Sequence, residues 1–131
     1  MSPEEIFARE VWAACDLSLQ VLAPRKKLSF RPMVRRTIIN TKKTYVIGRT
    51  SLKTGLITID IFTPTKREPK KISSVLRTLC HEVAHHQKPP FRQFFRWRWI
   101  IRQHYPEFYQ QVNINIEVLK NHNELKKYFI E

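Results

Sequence analysis

Ile72-Ser73-Ser74-Val75-Leu76-Arg77-Thr78-Leu79-Cys80-His81-Glu82-Val83-Ala84-His85-His86 is the stretch from which the rest of the chain is read. Ile72, Val75, Leu76, Leu79 and Val83 recur at the spacing of one helical face. Ser74, Thr78, His81 and His85 fall nearly opposite. The spacing predicts a helix over about 71–87, preceded by the charged linker Pro64 to Lys71 and ended by Pro89-Pro90. Its apolar face is expected against a sheet and its polar face toward a cleft. His81-Glu82-Val83-Ala84-His85 has the form H-E-x-x-H. Residues four apart are separated by about one turn, a rise of roughly 6 Å, so both imidazoles project from one side. Such a pair grips a single zinc ion at about 2.0–2.1 Å per nitrogen. Glu82 is rotated around the helix, poorly placed as a ligand and well placed beside the metal as general base. His86, about 100° from His85, lies nearer the core face and reads as a packing or supporting residue.

A catalytic zinc usually takes three protein ligands and keeps one position for water. The chain has five histidines: 81, 85, 86, 104 and 122. His104, in Gln103-His104-Tyr105-Pro106-Glu107-Phe108, begins a predicted helix able to fold back, and is the first choice. Glu107 is the alternative ligand, with Glu117 and His122 further along.

The flanks supply a core. Ser2-Pro3-Glu4-Glu5 starts a helix: Ser2 caps, Pro3 suits the first position and Glu5 completes a capping box. Apolar residues continue to Leu22, and Pro24 ends the stripe. Residues 28–62 turn β-branched and aromatic, with strands expected at Leu28 to Arg31, Thr37 to Asn40, Thr44 to Ile47 and Leu56 to Phe62. In the last of these Ile57, Ile59 and Ile61 share a face. This strand is offered as an edge for an extended substrate, with an interior position as the alternative. Helices are expected at about 91–103 and from Tyr105-Pro106 to Lys120, and a short one in the tail 123–131. The reading is one α+β domain over 1–131: an N-terminal helix, a three- to four-stranded, mostly antiparallel sheet, the H-E-x-x-H helix, and C-terminal helices.

The charge is unevenly placed. The formal net charge is +13, and residues 25–102 hold 20 basic against 3 acidic residues. A basic middle favours a polyanionic partner, nucleic acid first. Within it, Phe91-Arg92-Gln93-Phe94-Phe95-Arg96-Trp97-Arg98-Trp99-Ile100-Ile101-Arg102 mixes arginine with aromatics. Three readings stand: aromatics packing the core, bases stacked on the rings, or an anionic membrane surface. There are only two cysteines, Cys15 and Cys80, fitting a reducing compartment. The acidic start lacks a signal-peptide pattern, and no run of about 18 apolar residues spans a membrane. The expectation is a soluble, cytoplasmic protein.

The segment Gly48 to Phe108 resembles the SprT-like zinc metallopeptidases, related to the Spartan and WLM proteases. The resemblance rests on Gly48, the strand Leu56 to Ile61, the helix Leu79 to His85, and His104-Tyr105-Pro106-Glu107-Phe108, which is similar to the family's His-Gly-x-x-Phe with Tyr105 in place of the glycine. It covers about half the chain. It implies a small zincin-like domain in which His81, His85 and His104 ligate zinc and Glu82 is the base. The implied reaction is peptide-bond hydrolysis by zinc-activated water, and the basic middle of the chain adds the expectation of substrates associated with nucleic acid. The alternative is a basic nucleic-acid-binding module with a structural zinc and no peptidase activity.

Overall fold

In the computed structural model, which describes residues 2–33 and 47–130, the sequence patterns become three helices, a three-stranded sheet and a separate hairpin. Helix α1 spans Pro3–Leu22. The Ser2 hydroxyl accepts from the Glu5 amide at 3.2 Å, the capping bond expected of a serine there. Strands β1 (Ser29–Met33), β2 (Gly48–Thr50) and β3 (Leu56–Asp60) follow, then α2 (Ile72–Gln87). Strands β4 (Phe91–Phe95) and β5 (Arg98–Arg102) come next, then α3 (Pro106–Lys120) and a 3-10 turn at Lys126–Phe129.

The sheet order is β1-β3-β2, with β1 parallel and β2 antiparallel to β3. The fold class is α+β, and with the β4–β5 hairpin counted two of the three strand pairings are antiparallel. Strand β3 is central, not an edge: β1 and β2 pair with its two sides, and Ile57 and Ile59, with Ile61 just past its end, are completely buried. Both β2 and β3 pack against α2. Pro32 in β1 fits an outer strand, which needs fewer ladder donors. The strands expected at Thr37 to Asn40 and over most of Thr44 to Ile47 lie outside the described residues.

The core forms where α1, α2 and α3 meet the sheet. Val11, Cys15 and Leu19 of α1 face Val75, Leu76, Leu79 and Val83 of α2, and Phe108 and Leu119 of α3 close the other side. The apolar stripe of α2 is thus buried as its spacing requires. Beyond it, Arg67 grips the fully buried Asp60 with two bonds, Nη1–Oδ2 at 3.0 Å and Nη2–Oδ1 at 3.1 Å. The pair fixes the turn between β3 and α2, since a buried carboxylate demands a fork-shaped partner.

The helix expected over 91–103 is instead the β4–β5 hairpin, with Phe91 opposite Arg102 and Phe95 opposite Arg98. Its turn residues Arg96 and Trp97 have φ of 49° and 68°, as a tight two-residue hairpin requires. Among the described residues the hairpin packs on no other helix or strand. The third helix falls where expected, with Pro106 at its first turn.

Candidate metal centre

The site is assembled on α2 and closed by the start of α3. His81 and His85 leave adjacent turns of α2, and their rings lie 5.1 Å apart. The turn before Pro106 delivers His104, whose ring is 5.3 Å from His81 and 5.0 Å from His85. One nitrogen from each of the three histidines lies within 4.8 Å of the other two. Nitrogens on a tetrahedral zinc are separated by about 3.4 Å, a difference within the swing of the side-chain torsions. Among the described residues no other cluster of three such groups occurs. Glu107 lies outside this cluster and lines, with Phe91, Gln93 and Arg102, a neighbouring cavity that His104 also borders. The Nδ1 of His122 accepts from the Glu124 amide.

The donor chemistry fits a metal. Burial, then the neighbouring histidines, push the His85 imidazole down to about 4. Burial, then His104, also lower that of His81. Both rings are neutral at pH 7, with lone pairs available, which is the protonation state a ligand needs. His104 is exposed, so the cluster opens to solvent on one side.

Phe108 is the wall behind all three rings. It is fully buried, with centroids 5.0 Å from His81, 4.5 Å from His85 and 5.2 Å from His104. Lying in the first turn of α3, it holds the start of that helix, and the turn that carries His104, against α2. A second clamp is Asn115 of α3, almost fully buried, whose Nδ2 donates to the Cys80 carbonyl at 3.1 Å and to Gln87 Oε1 at 2.7 Å. The Tyr105 hydroxyl donates to the Pro89 carbonyl at 3.0 Å and pins the end of α2 to the start of α3.

Glu82 sits beside the cluster, 6 % exposed, and burial pushes its carboxyl up to about 7. It is reached because Gly48 has no side chain: a Cβ there would lie 3.0 Å from Thr78 Cγ2 and 3.5 Å from Glu82 Oε1. Strand β2 therefore passes close over α2. An open cleft of about 340 Å3 runs between β2 and the cluster, lined by Gly48, Arg49, Thr50, Glu82 and the three histidines. It continues past His81 and Glu82 into a space of about 570 Å3 bounded by Ile47, Arg77 and Val112. His86 stays off the cleft: its Nε2 meets the Thr50 hydroxyl, and its carbonyl accepts from Lys26 Nζ at 2.6 Å. It ties α2 to β2, the supporting role expected of it.

The structure brings His81, Glu82, His85 and His104 together at one cleft. Phe108 and Gly48 were visible only as parts of a resemblance, and Asn115 and Thr50 carried no signal, since lone polar residues look alike until their partners are placed.

No protein-family model and no curated protein matches the chain. Among solved structures it is similar to the metallopeptidase zymogen of Pyrococcus abyssi abylysin, with a TM-score of 0.45 and 19% identity. That likeness covers 90% of this chain and 87% of the other. The reading of the site rests on the geometry of its own residues.

Proposed function

We propose that the protein is a zinc-dependent metallopeptidase of SprT-like type, with His81, His85 and His104 as ligands and Glu82 as general base. The observation that carries this reading is the convergence of three imidazoles and one buried carboxyl on a single open cleft. Bound there, zinc supplies a Lewis acid and an acidified water. Glu82, with a carboxyl tuned near neutrality, accepts the proton of the attacking water and passes it to the leaving amine. Strand β2 borders the cleft, and in this reading its backbone aligns an extended peptide in the place first given to β3.

The test is Glu82→Gln. This variant keeps the shape of the side chain but cannot take a proton. It should retain zinc and fold while peptide hydrolysis falls by about 10²–10⁴-fold. Hydrolysis at the wild-type rate removes Glu82 from the chemistry.

A basic nucleic-acid-binding module with a structural zinc is the second reading. It is favoured by a hollow of about 430 Å3 on the sheet, bordered by Arg31 and Arg49. It requires affinity for nucleic acid that falls steeply with salt and no cleavage of any peptide. The exposed His104 and open cleft weigh against a purely structural metal, which is normally closed in by four protein ligands.

A further inference from the structure

In the β4–β5 hairpin nine of the ten strand residues are exposed. Cross-strand pairing puts Arg92 and Phe94 on one face with Trp99 and Ile101. Trp97 extends that strip at the turn, where it is 92 % exposed, with Trp99 at 61 % and Ile101 at 66 %. A continuous apolar strip of this kind on a protruding arm marks an interaction surface. The arm also carries Arg92, Arg96, Arg98 and Arg102 with no acidic residue.

We infer that this hairpin docks the protein on an anionic lipid surface, with the Trp97, Phe94, Trp99 and Ile101 strip in the interface and the arginines at the headgroups. The inference is independent of the metal site. Tryptophan favours the boundary between headgroups and acyl chains, and arginine beside it pairs with anionic lipid. Five-residue strands are too short to cross a bilayer, which takes about 9–11 residues per strand, so the arm lies in the surface. Among the described residues no helix is long and apolar enough to cross one either.

The same observations disfavour single-stranded nucleic acid as the occupant of the arm. Base stacking needs open ring faces along a basic groove. Here Arg92 stacks over Trp99 at 5.1 Å, and Arg96 and Arg102 lie over Phe95 at 5.1 and 5.7 Å. Phe94 meets the rings of both Trp97 and Trp99. Ile101 has no ring to offer a base.

The test is sedimentation of the full, zinc-loaded chain with phosphatidylcholine vesicles, with and without phosphatidylserine, at low salt. Binding should be on the order of tenfold stronger to the serine-containing vesicles. Trp97→Gly, which suits the positive φ at that position, should weaken it about tenfold. Arg98→Gln should weaken it about fivefold on anionic vesicles alone. Melting temperature and zinc content should stay at wild-type values in both variants, because among the described residues the arm packs on no other helix or strand. Equal binding to both vesicle types, or wild-type binding by Trp97→Gly, overturns the inference. So does a single-stranded oligonucleotide that binds in a Trp97-dependent way while the vesicles do not.

Discussion

Helix α2 and the β4–β5 hairpin are separated only by Lys88, Pro89 and Pro90, yet they are opposite kinds of structure. The helix buries Val75, Leu76, Leu79 and Val83 completely and shows solvent only its histidine side. The hairpin leaves every residue of β4 exposed and buries none of β5. One is held by the core and the other by its own ladder and its rings. The difference teaches that hydrophobic content alone does not locate a core. Phe94, Trp97 and Trp99 are large and apolar too, but among the described residues no helix or strand opposes them.

The largest effect that sharpens this contrast is expected at Phe108, the wall between the core and the histidines. Phe108→Ala should cost about 3–5 kcal/mol in denaturant unfolding and weaken zinc binding roughly 10–100-fold as the imidazoles lose their backing. A cost near zero would mean that the metal face and the core are independent.

The α1–α2 contact gives a second, smaller test. Cys15 and Cys80 are both fully buried free thiols. Burial raises the Cys15 thiol far above its ordinary value and pushes that of Cys80 up to about 12. The folded chain therefore keeps a proton that the unfolded chain releases near pH 9. The stabilisation is complete below that pH and is lost as pH rises toward the folded value, at up to about 1.4 kcal/mol per pH unit for each thiol. Melting temperatures taken from pH 8 upward should fall above about pH 9, and fall less steeply in Cys15→Ala. Identical slopes in the two proteins would place the alkaline sensitivity elsewhere.

The smallest effect is expected in the arm. Trp99→Ser should change global stability by no more than about 0.5 kcal/mol by thermal or denaturant unfolding, in spite of the size of the residue removed. A loss of several kcal/mol would show that the arm is part of the core after all.

The same contrast explains what could be read beforehand. The boundaries of α1 followed from Ser2, Pro3 and Pro24. The buried face of α2 followed from a single unbroken spacing, and the pairing of His81 with His85 from four residues of helix. His104 stood out as the candidate third ligand because few histidines were available. The arm was misread as a helix for two physical reasons. Phe94-Phe95 and Ile100-Ile101 are adjacent, which breaks strand alternation. Arg96-Trp97 turns the chain with positive φ where asparagine or glycine would normally announce it. The place of β3 in the sheet depended on partners distant in sequence, and the Asn115 clamp on a helix 35 residues away, so neither left a local trace.

One consequence follows from the bond between the Tyr105 hydroxyl and the Pro89 carbonyl. With Phe91 and Arg102 directly opposed, the chain leaves the metal helix and returns to it at nearly the same point. The span from the second histidine to the third is thus a closed loop whose length does not enter the geometry of the site. Evolution is free to lengthen, shorten or exchange such a cassette, changing where the protein works without retuning what it does there.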